Sequence, residues 1–317
     1  MPGLEVQPFA EGHLGEAALL LRERHSRHRE AEPLLPEEVN FDAEVEELWR
    51  AGASGAVAHR GGQALGFLLG NRRDDEVWGP NVWVEVAGHG VQEAEAIRDL
   101  YAHAAQRWVD EGRHRHYVLV PVGDPALVEA WFRLGFGQQQ AHGIRKVPEQ
   151  TESNLPEGLE IRAPRFEEVE ELMDVDLALP AHQREAPVFS DRPLPTREEQ
   201  RKEWEETLAR DEETVFVAYR NGSPVACWSF VPAELSSQHR GLGRPQRACY
   251  LGFAVTVPEA RGSGIGTALT EEGFAWAAEQ GYEVMLTDWR VTNLLASRFW
   301  PQRGFRTSFL RLYRSIP

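Results

Sequence analysis

The chain has 317 residues, about twice a common domain size, so two domains are expected, each long enough to bury a core of its own. Apolar residues make up 42% and charged residues 26%, and no run of about 18 apolar residues could span a bilayer, so no membrane partner is expected. The formal charge of −16 repels phosphate backbones and attracts cations, which argues against nucleic acid and favours a cationic amine as partner.

The opening residues, Met1 to Glu5, have neither the basic nor the apolar region of a secretory leader, and a cytoplasmic location is expected. Leu4-Glu5-Val6-Gln7-Pro8 reads as a short strand leading into an acidic amphipathic helix. The same type of segment recurs as Leu159-Glu160-Ile161-Arg162-Ala163, at an offset of 155. Asp124 to Phe136 (DPALVEAWFRLGF) lies against Asn293 to Phe305 (NLLASRFWPQRGF) without a gap, now at an offset of 169. This pairs Trp131 with Trp300 and Gly135-Phe136 with Gly304-Phe305. Such self-similarity marks an internal repeat. The polar segment Val147 to Gly158, with two prolines, reads as the linker between domains 1–147 and 158–317. The difference between the two offsets implies fourteen extra residues in the second half, and the prolines place them in Pro180 to Pro195.

In the second half, Thr214 to Tyr219 and Val225 to Val231 flank Asn221-Gly222, a hairpin signal. Ala248 to Val257 is the next strand, followed by Pro258-Glu259-Ala260, a glycine-rich turn, and a helix from about Gly264 to Gln280 ended by Gly281. Val284 to Thr287 reads as a buried strand, Asn293 to Arg303 as a helix and Thr307 to Arg314 as the last strand. This order predicts an α/β fold with a mixed sheet, present in two tandem copies. Cys227 and Cys249 lie in apolar runs and read as buried thiols; no metal is expected.

Arg261-Gly262-Ser263-Gly264-Ile265-Gly266-Thr267 sits between a strand and a helix. Glycines allow left-handed backbone and close approach, and the helix start presents unpaired N–H groups with the positive end of its dipole, so the turn can cradle an anion. It can equally serve only to pack the helix on the sheet. A dinucleotide fingerprint would need glycine where Thr267 stands, and a P-loop would need Gly-Lys-Ser/Thr.

With these residues the segment from Gly158 to Pro317 resembles the GNAT superfamily of N-acetyltransferases. That family's signature, Arg or Gln, two residues, Gly, one residue, then Gly or Ala, is matched by Arg261, Gly264 and Gly266. A second element is matched by Asn293, Ala296, Trp300 and Gly304-Phe305. The resemblance implies acetyl-CoA lying in a splay between the Ala248 and Val284 strands, with its pyrophosphate on the N–H groups of Gly262 to Thr267. It further implies that the backbone of Ala254, Val255 and Thr256 meets the acyl carbonyl, and that Asn293 holds the pantetheine arm or the adjacent backbone. Direct attack by a neutral amine then needs a route for a proton.

The first half matches only the second element. At the 169 offset, Glu95 and Ile97 replace Gly264 and Gly266, and Asp124 replaces Asn293. Crowding and like charge predict a first copy that is degenerate and binds no CoA. Many family members place a glutamate where this chain has Tyr250 and a tyrosine where it has Trp300. The candidates for acid and base are therefore Tyr250, Glu234, Asp288 and Tyr313, with a helix-capping reading for Asp288 and a surface reading for Glu234. His182, Glu185, Asp191, Glu234 and His239 lie where the family binds its acceptor.

The expected function is transfer of acetyl from acetyl-CoA to the primary amine of a small molecule, by a monomer or homodimer. A protein or peptide N-acetyltransferase and a non-catalytic acyl-CoA sensor are the alternatives.

Overall fold

The structure is a computed structural model and describes residues 3–75, 78–150, 155–190 and 192–317. In chain order the first half forms β1 (Glu5–Pro8), α1 (Leu14–Ala31), α2 (Phe41–Arg50), β2 (Ser54–Arg60), β3 (Gln63–Asp75), β4 (Gly79–Val84), β5 (His89–Val91), α3 (Ala96–Asp110), β6 (Arg115–Pro121), α4 (Pro125–Arg133) and β7 (Gly137–Lys146). The second half repeats the order as β8 (Leu159–Arg162), α5 (Val169–Arg184), α6 (Arg197–Leu208), β9 (Thr214–Arg220), β10 (Ser223–Pro232), β11 (Ala248–Thr256), α7 (Ile265–Glu279), β12 (Val284–Arg290), α8 (Leu294–Gln302) and β13 (Arg306–Ser315). The fold is mixed α/β, as the alternation of elements predicts.

The chain forms two compact units, Met1–His142 with Arg240–Pro245 and Thr307–Pro317, and Gly143–His239 with Gln246–Arg306. In the first, strands run β1-β2-β3-β4-β6-β13. Neighbours in this row are antiparallel except β4 and β6, which are parallel, and β13 closes the row with Phe309 opposite Pro121 through Ser315 opposite Arg115. In the second, β8-β9-β10-β11 are antiparallel and β11-β12 parallel.

These units differ from the contiguous ranges 1–147 and 158–317 because the last strand completes the first unit's row, while the end of β7 belongs to the second. There, Val147 N–H donates to Glu283 O at 2.8 Å. Strand patterning specifies a face and an edge but not which sheet will supply the partner.

The extra residues of the second half lie elsewhere than Pro180 to Pro195. Helix α5 runs through Pro180 to Arg184, and the N-caps Asn40 and Thr196 of α2 and α6 are offset by only 156. The hairpin turns Gly61-Gly62 and Asn221-Gly222 are offset by 160, and the next strand starts, Gly79 and Ala248, by 169. Most of the surplus is therefore in the β10–β11 connection. Prolines alone do not mark an insertion when one can sit within a helix.

In the second unit, α5 and α6 cover one sheet face through Leu172, Met173, Trp204, Val217, Cys227 and Val255. Helix α7 covers the other, where a Cβ on Gly273 would strike the ring of Phe230, so glycine sets the close approach of helix to sheet. Cys227 and Cys249 are free and buried, and burial pushes the Cys249 thiol up to about 12.

Candidate functional site

The glycine turn enters α7 through two left-handed residues, Gly262 at φ +73° and the N-cap Gly264 at φ +84°. No side chain caps this helix. Its first intrahelical bond is Ala268 N–H to Gly264 O at 3.0 Å, so the N–H groups of Ile265, Gly266 and Thr267 lack helical acceptors. A Cβ at Gly262 would meet nothing within 4 Å, whereas one at Gly266 would lie 3.3 Å from the Phe299 ring. Gly262 and Gly264 thus leave an open mouth, and Gly266 packs the helix.

Three guanidinium groups surround this mouth. Arg261 Nε donates to Thr256 O at 3.1 Å, Arg220 Nη2 to Ser263 Oγ at 3.0 Å, and Arg303 Nη1 to Thr267 Oγ1 at 3.3 Å. Ser263 Oγ in turn donates to Ala260 O at 2.6 Å. Positive side chains, helix dipole and free N–H groups on a chain of charge −16 suit a polyanionic ligand. Arg220 and Arg303 were not among the residues singled out by sequence, because only the fold brings them to the turn.

Strands β11 and β12 pair from Ala248 opposite Val284 to Leu251 opposite Thr287. Their ladder stops there, while β11 runs on to Thr256 and β12 to Arg290, so Ala254, Val255 and Thr256 lie past a fork. Thr287 Oγ1 donates to Leu251 O at 3.0 Å at the point of parting. On the other edge of β11 the register with β10 skips Gly252, a bulge that re-aims the strand. Tyr250, still within the ladder, and Asp288, just past it on β12, are joined by a hydrogen bond from the phenol to the carboxylate. The capping reading of Asp288 fails, since the cap of α8 is Asn293.

Asn293 Oδ1 accepts from Leu295 N–H at 3.1 Å and Ala296 N–H at 3.2 Å, which is the second of the two roles expected for it, holding adjacent backbone. Ala296 lies in the first turn of that helix, and Trp300 is buried against Trp228, Phe299 and Phe305. Glu234 is exposed in a short 3₁₀ turn, and Tyr313 belongs to the first unit, where it packs on Tyr117. His182 is in the last turn of α5 and Glu185 is its exposed C-cap residue, while Asp191 lies outside the described residues. His239 is no solvated loop histidine: it is 3% exposed, its ring lies 5.0 Å from that of Tyr250, and burial lowers its pKa to about 3.

The corresponding fork of the first unit is filled. Beyond the last β4–β6 pair, Val84 opposite Val118, the Arg24 guanidinium donates to Val86 O and, at 2.6 Å, to His89 O. The His89 ring reaches Leu119 O on β6 at 3.0 Å. Arg24 is wholly buried, and burial followed by Arg27 lowers its pKa to about 9 while Asp124 opposes the fall. At the 155 offset the second unit has Leu179, which offers no donor. Arg24 lies on the buried stripe of α1 with Ala17, Leu20, Leu21 and His28, a signal visible in the sequence as a cation at an apolar position. The carboxylates expected to repel an anion are paired instead, Glu93 with Arg60 and Glu95 with Arg98 and Arg133. Asp124 caps α4 by accepting from Leu127 N–H at 3.0 Å, as Asn293 caps α8, so that difference by itself does not disable the copy.

Among the described residues, no helix is long and apolar enough to cross a membrane. No curated protein matches the sequence. Residues 178–305 match the acetyltransferase (GNAT) family. Solved structures with the same fold include a GCN5-related N-acetyltransferase from Sphaerobacter thermophilus, with 13% identity, TM-score 0.59 and coverage of 98% of this chain and 95% of that one. A tandem GNAT protein from the clavulanic acid biosynthesis pathway has 14% identity, TM-score 0.50 and coverage of 98% and 97%. A glucosamine N-acetyltransferase region of a fungal multi-domain β-N-acetylglucosaminidase has 15% identity and TM-score 0.57, covering 99% of this chain and 38% of that one. The turn, the fork and the capped helix fall within residues 178–305, the segment that matches the acetyltransferase (GNAT) family, and the fold of the chain is shared with a tandem GNAT protein.

Proposed function

We propose that the second unit transfers an acetyl group from acetyl-CoA to the primary amine of a small molecule, and that the first unit binds no CoA. The observation that carries the reading is the placement on β11 of the fork, the bulge and, immediately beyond the strand, the open glycine turn. The turn's N–H groups and the guanidinium groups of Arg220, Arg261 and Arg303 suit a pyrophosphate. When bound, acetyl-CoA supplies the thioester that the amine attacks.

The chain's own part is to position and to move protons. Of the backbone N–H groups of Ala254 to Thr256, those turned away from the β10 ladder and toward the fork are the donors for an acyl oxygen, a contact that gains strength as negative charge develops there. Asp288 accepts a hydrogen bond from the Tyr250 hydroxyl, so the phenol oxygen can take a proton from the amine as its own passes to the carboxylate. An acceptor carrying an ammonium group is favoured by the charge of −16, and must lose a proton before attack. In the first unit, the Arg24 and His89 side chains occupy the corresponding fork, bonded to the carbonyl oxygens of Val86, His89 and Leu119.

The test is turnover of acetyl-CoA with a panel of amino sugars, diamines, arylalkylamines and short peptides. Acetylation of a small amine, lowered about 100-fold or more in Tyr250→Phe and Asp288→Asn with unchanged acetyl-CoA affinity, is expected. Binding without turnover of any acceptor would favour an acyl-CoA sensor, and turnover of peptides alone would move the acceptor class to protein.

A further inference from the structure

The Tyr250 ring has two close neighbours. One is the buried His239 ring, with centroids 5.0 Å apart and planes inclined at 54°. The other is Gly252, the bulge residue, where a Cβ would lie 2.9 Å from Tyr250 Cε1. His239 is itself held by a closed local turn, in which Ser236 Oγ accepts from Gln238 N–H at 3.1 Å and His239 N–H at 3.3 Å. Ser236 is buried as well, 6% exposed. This turn belongs to the β10–β11 connection, the part of the second half with most of the surplus over the first.

We propose that His239 and Gly252 are positioning residues for the Tyr250–Asp288 pair: the imidazole acts as a wall, and the missing side chain at 252 as the space, that together aim the phenol at the carboxylate. The proposal rests on the reading of that pair as the proton route. The wall role separates His239 from a proton carrier. Burial holds the imidazole neutral down to about pH 3, so it neither binds a cationic acceptor by charge nor takes the amine's proton near neutrality. The imidazole Nδ1 meets Ser236 Oγ at 3.4 Å within the same turn; what the ring offers the phenol is its breadth, which phenylalanine can supply. Gly252 supplies a second constraint, since even one methyl group there requires the phenol or the backbone to shift.

The experiment is NMR of the full chain with ¹³Cζ-labelled tyrosine. The sequence has six tyrosines, so Tyr250→Phe identifies the Tyr250 signal by its loss. That signal is followed through a pH titration in wild type, His239→Ala, His239→Phe and Gly252→Ala, with acetyl-CoA affinity measured in each. The expected result is a displaced signal and an altered midpoint in His239→Ala and in Gly252→Ala, return toward wild type in His239→Phe, and acetyl-CoA affinity within about twofold throughout. A Tyr250 signal in His239→Ala that titrates like wild type would overturn the positioning role. So would a His239→Phe variant that behaves like His239→Ala, which would instead require the imidazole nitrogens. This readout needs no turnover, so it stays separate from the fate of the catalytic reading, which falls if Tyr250→Phe acetylates at the wild-type rate.

Discussion

Arg24 donates to the carbonyl oxygen of His89 at 2.6 Å, deep within the first unit and past the end of the β4–β6 ladder. A wholly buried cation is costly unless its donors are used, and here they meet Val86 O and His89 O. Arg24→Met keeps an unbranched apolar stem but leaves both carbonyls without that donor. It is expected to destabilise the chain by about 3 kcal/mol in urea unfolding while leaving acetyl-CoA affinity unchanged. A loss under about 0.5 kcal/mol would show that the guanidinium does not close the fork.

Calorimetric titration of acetyl-CoA is expected to give one equivalent per chain. Gly264→Glu places a side chain on a left-handed residue and a carboxylate at the mouth of the turn, and should weaken binding by more than about tenfold. Ala94→Glu, in the first unit, should have no effect. Two equivalents in wild type, or equal loss in the two variants, would refute a single site.

Asn293 caps α8, and this predicts tolerance to one substitution and not to another. Asn293→Asp should stay within about 0.5 kcal/mol of wild type, as Asp124 makes the same kind of cap on α4, whereas Asn293→Ala should cost about 1 kcal/mol. Loss of acetyl-CoA affinity in Asn293→Asp without loss of stability would instead assign the side chain to the ligand.

Burial lowers the pKa of His28, His89 and His239 to about 3 and that of His116 to about 4. The unfolded chain, with histidine near 6.5, takes up protons that the folded one refuses. Stability should therefore be flat between about pH 7 and 8 and fall as pH drops from 6.5 toward 4, each group contributing up to about 1.4 kcal/mol per pH unit. Glu44 and Asp176, raised by burial, offset part of this because their folded forms keep protons longer. Denaturant unfolding at pH 8, 6.5, 5.5 and 4.5 checks the sign; constant stability across that range would contradict the buried neutral histidines.

The sequence by itself determined the repeat, the mixed α/β class and the glycine turn. Each depends on residues close together along the chain: glycine where φ is positive, apolar residues at the period of a strand or helix. Tertiary structure alone decided which sheet receives β13 and that the surplus residues lie mainly between β10 and β11. It also brought Arg220 and Arg303 to the turn, His239 to Tyr250, and Tyr250 to Asp288 across 38 positions of sequence. Those outcomes depend on side chains and strand edges that meet only after the backbone has folded, and local periodicity carries no record of the partner. Arg24 stands between the two cases: the helical stripe exposes a cation at a core position, but only the fold supplies the carbonyls that make its burial tolerable.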